Sequence, residues 1–219
     1  MKESAAQYGA HYFPPGSDAV YEPSEEDTYF YRVFVGEHEV NVERGDSVWY
    51  FELGKYGIGY ARVLSGPALI RSSRLAVVIR GYMAEEHSAR VGVRATVLPY
   101  VNGCSTREIF SPSRLGDPTL QHLRIPAFSK EQAHHTHSTA RVVYVARGLG
   151  KSMVGMEGKT FETDLIPGMV CVLDPFCPHH FETPQGEDIE VYPLHVWSST
   201  IGEQNHPMWR GTHMMDQGG

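Results

Sequence analysis

"AHHTHSTARVVYVARG" occupies residues 133–148 and sets three histidines within four positions, just ahead of an apolar run. Side chains on a strand alternate between faces, so His135 and His137 share one face while His134 and Thr136 share the other. A His-x-His pair on one strand presents two imidazoles to a single ion, which is a weak signal alone. A third imidazole from a neighbouring strand strengthens it. "DPFCPHHF" (174–181) supplies His179, or His180 through a one-residue bulge, after a turn bracketed by Pro175 and Pro178. Rigid prolines reduce the entropy lost in ordering such a turn.

The rest of the chain reads as strands. "YFYRVFV" (29–35), "HEVNVE" (38–43), "SVWYFEL" (47–53) and "YGIGYARVL" (56–64) are rich in β-branched and aromatic residues. Turn signals separate them about every ten residues, the rhythm of a sandwich or barrel. With 22 Gly and 14 Pro in 219 residues and no amphipathic helix, an all-β fold is expected. Residues 1–27 are Pro- and acid-rich and read as an extended arm. "SPSRLGDPT" (111–119) reads as a loop between two halves.

Two segments recur in the same order. "RLAVVIRG" (74–81) matches "RVVYVARG" (141–148), and "GVRATVLPYVNG" (92–103) matches "GMVCVLDPFCPH" (168–179). In that alignment Ala68, Ile70 and Gly103 stand where the second copy has His135, His137 and His179. A duplicated β-unit with one site in its second half would produce this asymmetry. The organisation expected is therefore an arm (1–27), a degenerate β-domain (28–116), a metal-binding β-domain (117–200) and a polar tail (201–219).

These motifs resemble those of the cupins. The first cupin motif runs His-x-His, three or four residues, Glu, six residues, Gly; here that is His135, His137, Arg141 and Gly148. The second runs Gly, five residues, Pro-x-Gly, two residues, His; here Gly168, then Asp174-Pro175-Phe176, then His179. The resemblance implies a jelly-roll barrel, the double-stranded β-helix, in a bicupin-like arrangement over about 55–200. The departures are specific. Asp174 stands where Pro is usual, Phe176 where Gly is usual, and Thr183 where Asn follows the last His. Arg141 stands in place of the carboxylate ligand, and a guanidinium cannot ligate a cation.

The ligand set this implies is His135, His137 and His179, with His180 as the fallback. Some cupin dioxygenases are similar in having three His and no carboxylate. By that resemblance Fe(II) is the favoured metal, with Zn, Ni and Mn also compatible with imidazole. If the strand stays regular, Arg141 shares a face with His137 and points into the barrel. It then either clamps a substrate anion or braces the barrel against a carboxylate such as Glu190. Arg74, its match in the first copy, favours bracing. His195 is a possible proton shuttle, an extra ligand or a core residue. Tyr144 should face away from the site. Cys171 should be buried, and Cys177 structural. His134 and His180 should face outward or stand just behind the ligands, and His206 and His213 should be solvated.

A metal-dependent dioxygenase-type enzyme acting on a small anionic or chelating molecule is the leading expectation. A Lewis-acid isomerase, cyclase or lyase, or a non-catalytic binding module, are the alternatives. The net charge of −7 argues against nucleic acid as a partner. Three cysteines fit a reducing compartment. No apolar run reaches membrane-spanning length, and no signal-peptide pattern opens the chain. A cytoplasmic protein without membrane partners, assembled as a homodimer, is expected.

Overall fold

A computed structural model describes residues 4–23, 31–54, 57–92, 96–112, 117–156, 158–184, 186–196 and 212–214. Side chains are described outside 53–58 and 212–214. The chain forms two compact units, one of residues 1–15 and 96–219, the other of 16–95. The boundary falls near residue 95 rather than at the expected 116, and the loop at 113–116 lies outside the described residues.

In chain order the strands are β1 (Ala10–Phe13), β2 (Ala19–Tyr21), β3 (Tyr31–Val35), β4 (His38–Val42), β5 (Ser47–Gly54), β6 (Gly57–Ser65), β7 (Ala68–Ser72), β8 (Leu75–Ile79) and β9 (His87–Arg90). They continue with β10 (Leu98–Pro99), β11 (Ser105–Phe110), β12 (Thr119–Ile125), β13 (His135–His137), β14 (Arg141–Gly148) and β15 (Gly150–Met156). The last are β16 (Lys159–Leu165), β17 (Val170–Leu173), β18 (His179–Glu182), β19 (Ile189–His195) and β20 (Thr212–Met214). Short 3-10 helices cover Ala5–Tyr8 and Val101–Gly103.

The 16–95 unit holds one sheet in the order β2-β3-β8-β5-β6-β9 and a separate β4-β7 pair. Strand alternation there is clean: β4 and β7 each bury every second residue toward the end of the strand. Val40, Val42, Val48, Tyr50, Ile70, Ala76 and Val78 form its core. Ile70, aligned with His137 in the sequence comparison, is thus an apolar core residue.

The other unit carries two sheets, β1-β17-β14-β19-β12-β11-β10 and β16-β15-β18-β13-β20, all pairs antiparallel. This is a jelly-roll arrangement. Leu123, Ile125, Val143, Val145, Val154, Leu165, Leu173, Phe181 and Val191 belong to its core. Gly148 ends β14 at φ +77°, and a Cβ there would sit 1.8 Å from the Asp188 carbonyl oxygen. Only glycine fits that turn.

Three expectations change. The N-terminal segment, read as an extended arm, is tied down where β1 pairs with β17 along four residues. Within the expected tail, β20 pairs with β13, so residues 212–214 lie beside the His-x-His strand. The matched segments also occupy different places. β14 lies between β17 and β19, both later in the chain, whereas β8 lies between β3 and β5, both earlier. Residues 98–103 form β10 and a 3-10 turn, while their match, 174–179, is the turn that leads from β17 into β18. Short apolar strands resemble one another through shared β-propensity, and local similarity did not track topology.

Candidate metal centre

His135 and His137 lie on β13 and His179 on the neighbouring β18, with His135 and His179 as register partners. All three are buried, and His135 is fully so. One ring nitrogen from each lies within 4.8 Å of the other two. The intervening Thr136 is half-buried, as strand alternation requires.

The imidazoles are oriented by the backbone. His135 Nδ1–H donates to the Ala133 carbonyl and His179 Nδ1–H to the Cys177 carbonyl, each at 2.8 Å. A carbonyl only accepts, so both rings keep a bare Nε2 lone pair, the tautomer a metal ligand needs. His135 Nε2 lies 2.9 Å from His137 Nε2. Burial holds the rings neutral. It pushes His135 down to about 3, with the Arg141 cation adding to the effect. Burial first, then Arg141, takes His137 well below its ordinary value. Burial first, then His135, does the same for His179. Three neutral, buried imidazoles, two of them with tautomers fixed by backbone carbonyls, fit a divalent transition metal with open positions.

The departures from the cupin motif have local causes. Asp174 replaces Pro because its N–H is needed: it donates to the Gly9 carbonyl at 2.8 Å, and its carboxylate meets His11 Nε2 at 3.0 Å. A proline could do neither. Phe176 sits at φ +63°, the left-handed region that glycine occupies freely. Its N–H donates to the His137 carbonyl at 2.6 Å and ties the turn to the ligand strand. Thr183 is buried, donates to the Pro126 carbonyl and accepts the Ser129 N–H, so it latches the loop before β13.

Arg141 reaches the site by a different route from the one the spacing suggests. The strand does not continue from His137. It breaks at 138–140, and Arg141 opens β14 in the other sheet. Both residues nevertheless line one cavity, with Glu131, Val143, Leu173, His179, Phe181 and His195. Its volume is about 20 Å³ for the centre of a water-sized sphere, room for one or two waters. Arg141 is 3% exposed. Its Nη1 donates to the carbonyls of Thr139 (3.2 Å) and Ala140 (3.3 Å) and to the Thr139 hydroxyl, while its buried Nε has no partner among the described residues. Burial pushes the guanidinium down to about 9 against the opposing pull of Glu131, so it remains a cation at neutral pH.

The expected brace is not there. Glu190 bonds His122 (3.1 Å) and Arg147 (2.7 Å) instead, and Arg74 is exposed, unlike Arg141. His195 pairs in register with Arg141, lines the cavity and places its ring centroid 6.3 Å from that of His137. It stands beside the triad, not within it. Tyr144 is absent from the lining, whereas Arg141 and Val143 belong to it. Cys171 and Cys177 are buried, and burial pushes the Cys177 thiol up to about 12. His134 and His180 meet on the other face at 2.9 Å between Nδ1 atoms, half-buried rather than fully outward. His213 pairs in register with Thr136, and His206 lies outside the described residues.

Glu131 escaped the sequence reading. It precedes β13 in an irregular stretch, 5% exposed, with its N–H donating to the Phe181 carbonyl at 2.9 Å. A charged residue four positions before the His-x-His pair, in no periodic element, carries no local signal of burial.

No family model and no curated protein matches the sequence. Solved structures do. The putative glyoxylate-induced protein of Pseudomonas aeruginosa is 13% identical, covers 86% of this chain and 80% of its own, and superposes with a TM-score of 0.54. The 7S globulin of Momordica charantia is 11% identical over 84% of this chain and 83% of its own, at 0.51. A cupin 2 conserved barrel domain protein from Leptotrichia buccalis is 12% identical over 84% and 91%, at 0.46. The fold of this chain is the cupin fold.

Proposed function

We propose that this protein is a mononuclear metal-dependent cupin enzyme whose centre is His135, His137 and His179. The observation that carries the proposal is a triad of buried imidazoles, two of which, His137 and His179, line one cavity with a buried cation. Three neutral ligands leave a divalent ion its full charge, and Arg141 adds another. Such a cavity favours an anionic or chelating substrate group that joins the two. The unpartnered Nε of Arg141 is the donor available to it. The small volume admits a functional group rather than a whole metabolite. A bound metal would supply Lewis acidity and, with Fe(II), reaction with O₂. The chain's own residues orient the ligands, exclude water and hold the anion.

Dioxygenase-type oxidation, with Fe(II) as the metal, is the reading we favour for the reaction. Glu131 in the same cavity favours a second, a non-redox isomerase, cyclase or lyase that moves a proton. Anaerobic loading with Fe(II), followed by oxygen uptake with thiols, β-diketones and aromatic diols, separates them. Uptake stoichiometric with substrate loss supports the oxygenase. Substrate loss without uptake supports the second reading, and metal binding with no turnover of any probe points to a binding module.

A further inference from the structure

The outer face of the small sheet carries a second pair of histidines. His134 and His180 are half-buried there, with their Nδ1 atoms 2.9 Å apart. The Gly155 carbonyl lies 2.7 Å from His134 Nε2 and can only accept, so that nitrogen holds the proton and His134 Nδ1 is a bare lone pair. His180 then faces two acceptors: this lone pair at its Nδ1, and the Glu182 carboxylate 3.4 Å from its Nε2. A neutral imidazole has one N–H to give. Whichever acceptor it serves, the other contact sets lone pairs against each other. A cation between the two Nδ1 atoms removes the conflict and leaves the His180 N–H to Glu182. The barrel histidines show the same signature: His135 and His137 bring their Nε2 atoms to 2.9 Å, and His135 spends its N–H on a carbonyl.

We infer that His134 and His180 form a second metal site, outside the barrel, which binds Cu(I) with the Met153 thioether as third ligand. It shares no ligand with the barrel centre, whose histidines point to the opposite face of the same strands. Binding is ligand exchange alone: the donors replace those of the copper carrier, and no electron moves.

The strand register supplies the third donor. Met153 on β15 is the register partner of His180 on β18. Alternation sends both outward: Ser152 and Val154 are buried, as are His179 and Phe181, whereas Met153 and His180 are half-buried. Opposed residues of an antiparallel pair hold their Cβ atoms about 4.5–5.5 Å apart. A methionine side chain, with three rotatable bonds, spans that gap. A thioether is a soft donor and selects Cu(I) over the harder divalent ions. Charge agrees with that choice. Lys130, bridged to Glu182, adds a cation to this face, so one positive charge costs less to place here than two. Glu182 behind His180 and the Gly155 carbonyl behind His134 fix the ring orientations, as partners behind metal-bound imidazoles do.

The test loads the full chain anaerobically with Cu(I), added as its acetonitrile complex, and competes it with bicinchoninate. His137→Ala lacks a barrel ligand and keeps the outer face intact. It should retain close to one equivalent of copper, whose X-ray absorption should show a sulfur beside two nitrogens. In that background His180→Asn should lose the metal. Met153→Leu should weaken it about tenfold or more, the least that losing even a supporting contact of a metal ligand costs. Circular dichroism checks the sheets of each sample. The wild type gives the same absorption reading should His137→Ala not fold, because the residues lining the barrel cavity include no sulfur. Loss of all copper to bicinchoninate, a shell of nitrogen alone, or unchanged affinity in Met153→Leu or His180→Asn overturns the inference. So does a proton held between the two rings with no copper retained. Failure of the wild type to bind Fe(II), Zn or Ni refutes the barrel centre instead and leaves the copper result standing.

Discussion

His137 and Arg141 are four residues apart, yet they stand on different sheets and line one cavity from both. The break at 138–140 carries the chain from the small sheet to the large one. An uninterrupted strand would have kept both on one sheet. Crossing lets an imidazole and a guanidinium converge without stacking along a single edge.

Arg141 is therefore expected to act on binding. Loss of a charge-assisted hydrogen bond to a ligand costs about 1.5–3 kcal/mol, or roughly 10- to 100-fold. Arg141→Gln should raise KM for an anionic substrate by that factor with a smaller change in kcat. Steady-state kinetics decide it. A lower melting temperature with unchanged KM would assign Arg141 to bracing.

Phe176 occupies a left-handed conformation with its side chain 61% exposed. That conformation costs a non-glycine residue about 1–2 kcal/mol. Glycine recovers this but adds entropy to the unfolded chain, about 0.5–1 kcal/mol. Phe176→Gly should thus be stabilising by up to about 1 kcal/mol in urea denaturation. Destabilisation by more than that would mean that the exposed ring has a role in this turn.

Much of this site was legible in the sequence, and the reasons differ by residue. His135, His137 and His179 are set by period-two alternation and a Pro-bracketed turn, both local. Arg141 was found by spacing but placed by the wrong geometry, because a three-residue break between sheets has no compositional mark. Glu131 and the pairing of β1 with β17 depend on contacts between distant segments. The matched segments did not pick out equivalent strands, for the converse reason: apolar strands are alike wherever they sit. Asp174 and Phe176 stood as departures from the motif, and each has a backbone explanation that only the fold displays.

Glu190 sets an acid limit on stability. The hydrogen bond from His122, then Arg147, holds its carboxyl down to about 2, against opposing burial. A carboxyl depressed in the folded state contributes stability that is complete above its unfolded value, near 4.5, and is lost as pH falls through the folded one. The loss should span about pH 5 to 2 and amount to roughly 1–3 kcal/mol after allowance for the exposed Arg147. Glu190→Gln should flatten that part of the stability curve of the metal-free protein. An unchanged slope would contradict the assignment.

The central claim is that three histidines hold one metal ion, and metal content of the untagged protein tests it most directly. After anaerobic loading with Fe(II), Zn or Ni and removal of excess, close to one equivalent should remain in the wild type. His137→Ala should retain less than about a tenth of that while keeping its β-sheet circular dichroism. Less than about 0.1 equivalent in the wild type with every metal, or full retention in His137→Ala, would contradict the account.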